Sequence, residues 1–321
     1  MENVLDIAKF GIEGRVMSWE VVNSDGSIDN ACYTPKSNLI LDCGLDMFPT
    51  VSAIDQIYTY FAIGTGTADP LVTDTKLTTE YTYGSNRNAY GTVGNYSAYN
   101  SVTIPTAGTD PYVITIQKGF QSTTGSLNGT HYTELGFSPL LNHNTNLFSK
   151  FRIQDGSGNP VSVSVDVTQQ LRIKYQLLVK LTPVTLTHNT TTITGIGSFG
   201  YTSGWQQVTS SYIDAVQIIT GAGSRSLYCC SALTLAPLIG NAPTRTMMPN
   251  PGGLDMETYT PGSHYIIRGC TYETLQNVGT IVGIIGIYGD YFWGALFDTP
   301  IVKPDTHKLT FRLRFSWARG V

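Results

Sequence analysis

Two segments constrain the fold of this chain more than anything else in it. "QLRIKYQLLVKL" at 170–181 places Leu171, Ile173, Tyr175, Leu177, Val179 and Leu181 on one side of an extended chain, with Arg172, Lys174, Gln176 and Lys180 on the other. "KLTFRLRFSW" at 308–317 sets Leu309, Phe311, Leu313, Phe315 and Trp317 against Lys308, Thr310, Arg312, Arg314 and Ser316. A period of two held this long belongs to a strand with one face in a core, because a helix turns the same residues to every side. Each basic side is then wet or pressed on a partner.

The same period recurs in shorter form. "RVMSWEVV" (15–22) sets Arg15, Met17, Trp19 and Val21 against Val16, Ser18, Glu20 and Val22. "YVITIQKGF" (112–120), "VSVSVDV" (161–167) and "SLYCCSALTL" (226–235) also predict strands. "NSDGS" (23–27) and "DGSGNP" (155–160) are hairpin turns, with Gly and Asn supplying positive φ. Asp25, Asp29 and Asp155 fit such turns through bonds to their own backbone. Room for helix is small: "NLILDCGLDMF" (38–48) and "DTKLTTE" (74–80) could each hold a short one. The expectation is an all-β chain of antiparallel sheets, packed as one or two β-sandwich domains, with long loops and little helix.

The stretch "TELGF" followed by "LFSKFRI" leads into the first long strand, and "IIGIY" followed by "LFDTPI" leads into the second. Gly136 precedes Leu147 by eleven residues and Gly286 precedes Leu296 by ten. This reads as a weak internal repeat with its boundary near Pro183. An N-terminal β-sandwich domain over 1–182 is expected. A second β-rich domain over 183–321 either repeats it weakly or completes one large sandwich.

Composition narrows the function. Charged residues are 13% of the chain, about half the usual share. The chain is 41% hydrophobic and carries 19 tyrosines and 33 glycines, so low charge here does not mean disorder. A Thr, Ser, Asn and Tyr surface is polar without charge and suits large assemblies or contact with sugars. The net charge is −4 with no basic block, which argues against nucleic acid. No apolar run reaches the roughly 18 residues of a membrane span, and "MENVLDIAKFGIEGR" does not read as a signal peptide. Five cysteines without CxxC spacing suit free buried thiols made in a reducing cytoplasm.

"AIGTGTADPLVTDTKLTTE" (62–80) has the paired glycines of a phosphate loop, but Asp69 and Pro70 stand where a lysine and a helix start belong. The reading is a strand running into a turn: Gly64 and Gly66 let the chain leave the sheet sharply, and the Thr/Asp run fixes the next segment. His131, His143, His188, His264 and His307 make no ligand or catalytic spacing, and no G-x-S-x-G elbow is present. Glu134 and Asp290 lie near apolar strands, where a lone acid usually marks a turn or an edge. No catalytic residue, cofactor or metal is expected.

The order of segments carries a resemblance. "GRVMSWEVVNSDGSI", "SNLILDCGLDMF" and "YFAIGTGTADPLVTDTKLTTE" come first. "YTELGFSP" and "NLFSKFRIQDGSGNPVSVSVDVTQQLRIKYQLLV" come next, and "ALFDTPIVKPDTHKLTFRLRFSWARG" closes the chain. This series resembles a family of tailed-bacteriophage virion proteins that are tail-associated, fibre-like or minor structural parts. The resemblance covers both ends and much of the first half, and is weaker between about 184 and 275.

It implies a non-enzymatic structural component of the phage particle, in a tail, collar or fibre, located in the virion after assembly in the bacterial host cytoplasm. Implied partners are further copies of itself, with a trimer as the working expectation, and other virion proteins. "MENVLDIAKF" would dock on a neighbouring subunit. Two alternatives are a receptor-binding module for a bacterial surface glycan or protein and a capsid-surface decoration protein. A polysaccharide-degrading tail enzyme ranks last. The Tyr- and Asn-rich stretch 81–108 reads as a long surface loop or an edge hairpin, and supplies candidate contacts in Tyr81, Tyr83, Asn86, Arg87, Tyr90, Tyr96 and Tyr99.

Overall fold

The computed structural model describes residues 4–51, 54–81, 101–103, 105, 111–127, 129–142, 145–182, 185–193, 197–208, 226–236, 243–288 and 291–320. The described chain is almost wholly β, in several antiparallel sheets. In chain order the strands begin β1 (Leu5–Val22), β2 (Ile28–Cys32), β3 (Lys36–Ile40), β4 (Tyr60–Gly64), β5 (Glu80–Tyr81), β6 (Ser101–Thr103) and β7 (Tyr112–Gln121). Next come β8 (His131–Tyr132), β9 (Glu134–Ser138), β10 (Ser149–Arg152), β11 (Val163–Ser164), β12 (Gln170–Thr182), β13 (Thr187–Ile193), β14 (Gly197–Val208) and β15 (Ser226–Thr234). The series ends with β16 (Thr244–Met247), β17 (Gly252–Gly253), β18 (Asp255–Met256), β19 (Tyr265–Tyr272), β20 (Gly279–Tyr288), β21 (Tyr291–Lys303) and β22 (Leu309–Arg319).

The chain divides into two compact units, each discontinuous in sequence. One takes Met1–Gly11, Ile104–Ile114 and Lys180–Ala318; the other takes Ile12–Thr103, Thr115–Val179 and Arg319–Val321. Strands β1, β7, β12 and β22 each contribute residues to both.

In the first unit, a seven-stranded sheet runs β13-β14-β21-β20-β15-β16, with β17 also on β15. The ladder β18-β19-β22 lies in the same unit. The apolar side of β22 does what its period requires: Phe311, Leu313, Phe315 and Trp317 are buried. Phe311 stacks on Phe297 at 5.9 Å, and Phe315 meets Trp293 edge-on at 5.8 Å. Aromatic faces from β22 and β21 therefore fill the core of a sandwich. The basic side of β22 is largely neutralised within the unit. Arg312 holds Glu257 through both nitrogens, Arg314 holds Asp6, and Lys308 pairs with Glu273.

In the second unit the ladder runs β2 and β3 against β1, then β3-β10-β9-β4-β5. Strand β12 pairs with β7. Its apolar side, Leu171 to Leu181 at alternate positions, is buried throughout. Tyr175 is the hub: its ring lies 4.1 Å from Phe137 and 5.3 Å from Tyr58, and its hydroxyl sits 3.4 Å from that of Ser149. Burial raises its phenol well above the ordinary value. Gly14 is required beside it, because a Cβ there would lie 2.2 Å from the Tyr175 hydroxyl.

The turns behave as their chemistry predicts, with local departures. Asn23 and Ser27 close the first hairpin, the Asp25 carboxylate accepts from the Ser27 amide, and Gly26 takes φ +86°. Asp155 accepts from the Ser157 and Asn159 amides in the second, where Gly158 alone has positive φ. Asp29 instead lies within β2, where it accepts from Gln169. Alternation in β1 stops at Ser18, after which residues 18–22 are buried on both faces. "VSVSVDV" gives only the two-residue β11, because a turn bonding Asp166 to Gln169 ends it. "NLILDCGLDMF" holds the short helix α1 (Asp42–Leu45). "DTKLTTE" is not helical; its Thr78 and Thr79 amides are bonded to a side chain of β9. The two proposed repeat copies both form antiparallel pairs, but Gly136 faces Lys150 whereas Gly286 faces Trp293. Those partners lie on opposite sides of Leu147 and Leu296, so the copies differ in register. No helix among the described residues is long and apolar enough to cross a membrane.

Candidate functional site

The Gly-Thr-Gly segment is the most elaborate feature of the second unit. It leaves β4 at Gly64, runs out through Pro70, and returns as β5, which pairs back on β4 with Ile63 opposite Tyr81. What holds the excursion is a side chain from a different strand. Glu134 on β9 is fully buried, and its Oε1 accepts from the amides of Gly66 at 3.0 Å and Thr79 at 2.8 Å. Its Oε2 accepts from the Thr78 amide at 3.0 Å and faces Lys150 Nζ at 3.5 Å. Glu134 is therefore an interior residue, flanked by β10 and β4, and not the turn or edge acid expected from sequence. The anion cradle suggested by the glycines exists, but the anion in it is the protein's own carboxylate.

The glycines are needed for close approach. A Cβ at Gly66 would lie 2.3 Å from Glu134 Oε1 and 2.4 Å from Thr78 Cβ, and one at Gly64 would lie 2.5 Å from the Thr79 carbonyl. Lys150, itself buried, donates to Asp74 Oδ2 and to Thr78 Oγ1, both at 2.9 Å. Burial alone would raise the Asp74 carboxyl, but the Leu71 amide and the Lys150 ammonium together hold it below its ordinary value. Four of the segment's threonines have a place in this framework: Thr78 and Thr79 feed the cradle, the Thr65 amide donates to the Thr79 carbonyl, and the Thr75 carbonyl accepts from the Leu147 amide; Thr133 Oγ1, from outside the segment, donates to the Gly66 carbonyl. Leu77 supplies the apolar anchor, in a cluster with Leu41, Ala62 and Leu147.

Beside this loop lies an open groove of about 810 Å³. Its walls are Glu13 and Arg15 of β1, Ser37 to Ile40 of β3, Lys150 to Arg152 of β10, Gln154, Asp69 and Pro70 of the loop, and Arg319. Three of its four cations have carboxylate partners within the unit: Arg15 with Glu13, Lys150 with Asp74 and Glu134, Arg319 with Asp42. The fourth, Arg152, has buried Nε and Nη1 atoms with no hydrogen-bond acceptor among the described residues.

Of the contacts expected in the tyrosine-rich stretch, Tyr81 ends β5 half-buried, its ring edge-on to Tyr132 at 5.4 Å. Tyr83, Asn86, Arg87, Tyr90, Tyr96 and Tyr99 lie outside the described residues, as do His143 and Asp290. Among the described residues no three His, Cys, Asp or Glu side chains gather to hold a metal. His188 pairs with Asp298 at an exposed position. The five thiols are free. Burial pushes Cys43 and Cys230 up to about 11 and Cys229 up to about 12.

Sequence reasoning singled out Glu134 but placed it at a turn or edge, and it passed over Lys150. The signal available was a pair of ionisable residues, "TELGF" and "FSKFR", in runs otherwise apolar enough to be buried. No protein-family model, curated protein or solved structure matches this chain.

Proposed function

We propose that the chain is a non-enzymatic structural component of a bacteriophage particle, a tail, collar or fibre part that self-associates and attaches to other virion proteins. The observation that carries this reading is what the motif residues build. The "IGTGT" turn wraps the Glu134 carboxylate, "DGSGNP" closes a hairpin, and "QLRIKYQLLV" lines a core. These three motifs behind the resemblance to virion proteins thus supply framework. A rigid loop bonded to an interior acid also suits a part that must keep its shape under load.

Gold-labelled antibody against the protein, viewed on intact virions by electron microscopy, tests the reading. A ring of label at the neck, or label along the tail, supports it. Label only at the far ends of appendages favours the receptor-binding alternative, and label spread over the capsid favours a decoration protein. Particles that carry no label refute the reading. Sedimentation equilibrium of the purified protein tests self-association, with a trimer expected.

A further inference from the structure

Arg152 differs from the other three cations of its groove, each of which has a carboxylate partner. It lies directly across the β9–β10 ladder from Glu134, on the same face. That carboxylate would be its natural partner, but both Glu134 oxygens are committed to the loop amides and to Lys150. Arg152 lines the groove, and its buried Nε and Nη1 are bonded to no acceptor among the described residues. A guanidinium left so is costly, and its planar fork matches a carboxylate in two-point contact.

We propose that this groove docks a segment of a partner protein that presents one carboxylate to Arg152 beside an apolar side chain. Docking requires a χ rotation that turns the buried fork toward the groove. The apolar contact comes from the loop, where Pro70 lines the groove and the next residues, Leu71 and Val72, are exposed large hydrophobics. The Glu134 network holds that loop in place before any partner arrives, which lowers the ordering cost of docking. The local charge selects the ligand. Glu13 and Asp69 share the walls with the cations, and Asp42, Asp74 and Glu134 stand behind them. The surroundings are near neutral, so a polyanion gains little there; Arg152 offers a two-point bond to a single anionic group, and the exposed Leu71 and Val72 beside it favour a carboxylate carried on a peptide. Among the described residues the one aromatic ring in the lining, Phe151, is buried and offers no face for a sugar to stack on. The inference rests on the virion-part reading only in taking the occupant to be a protein.

The test follows the Arg152 Nε–H resonance of the purified full-length protein by NMR, assigned by its disappearance in Arg152→Lys. The probe is N-acetyl-leucyl-glutamate amide, with the leucyl-glutamine analogue, inorganic phosphate and galacturonate as comparators. We expect a saturable shift with the glutamate probe at up to about 10 mM, the range of one charge-assisted pair, and about tenfold weaker binding of the glutamine analogue. No shift, or an equal shift with the glutamine analogue, overturns the proposal. A larger response to galacturonate or phosphate overturns the choice of a protein segment. Because the titration uses the isolated protein, it can fail while particle labelling succeeds, and the converse.

Discussion

Replacing Glu134 with Gln puts the cradle to a quantitative test. Gln keeps one oxygen, enough to serve the Gly66 and Thr79 amides that Oε1 now serves. Its NH2 group then points at the Thr78 amide and at Lys150 Nζ, donors facing donors. An unsatisfied buried donor costs about 1–3 kcal/mol. An interior cation that loses its partner costs about 3–5 kcal/mol, reduced here because Asp74 still holds Lys150 at 2.9 Å. We expect E134Q to lose about 3–4 kcal/mol, a large part of the roughly 5–15 kcal/mol typical of a folded domain. Urea unfolding followed by tryptophan fluorescence gives the free energy, and hydrogen exchange over 64–81 gives its location. A second variant separates two explanations. If Glu134 and Lys150 are only an ion pair, Glu134→Leu with Lys150→Met should be nearly neutral. If the carboxylate organises the loop, the double variant stays destabilised, because the loop amides still lack their acceptor. A loss below about 1 kcal/mol in E134Q, with exchange over 64–81 unchanged, refutes the reasoning.

Gly66→Ala should cost about 1–3 kcal/mol by overpacking against Glu134 and Thr78, measured by the same unfolding assay, whereas Gly253→Ala, with open space around it, should cost less. Asp74 has a depressed folded pKa, so its contribution is present above its unfolded value and is lost as pH falls through the folded one. Asp74→Asn should therefore lower stability at pH 7 and flatten the acid side of the stability profile below about pH 4. Arg314→Gln breaks a largely exposed pair with Asp6 and should change stability by no more than about 1 kcal/mol. Thiol labelling at pH 8 should be slow at Cys43, Cys229, Cys230 and Cys270 in the folded protein and complete after denaturation, since burial raises each thiol.

Period-two alternation made β12 and β22 legible, because side-chain direction in a strand depends only on the residue's own place in the chain. The hairpins at 23–27 and 155–160 were legible for the same reason: their bonds join near neighbours. The cradle was not. Glu134 reaches Gly66 across 68 positions, and Lys150 reaches Asp74 across 76. Nothing local in "TELGF" distinguishes an acid bonded to three amides from an acid at a sheet edge. "DTKLTTE" carries fair helix formers, yet the Thr78 and Thr79 amides point at Glu134 instead of forming helical bonds. Local propensity yields where a buried charge sets a stronger demand. The groove depends on four strands and a loop converging, an arrangement that sequence order alone does not disclose.

The interleaving of the two units has a consequence for synthesis. The second unit draws on Arg319, whose Nε donates to the Ile40 carbonyl, and on Gly320, whose amide donates to Ile12. A ribosome delivers these residues only after the whole of 180–318, which belongs to the first unit. The second unit, although most of it precedes residue 180, therefore cannot be finished first. Its groove lacks the Arg319 wall until translation has passed that point, so a nascent or prematurely stopped chain would present an incomplete docking surface.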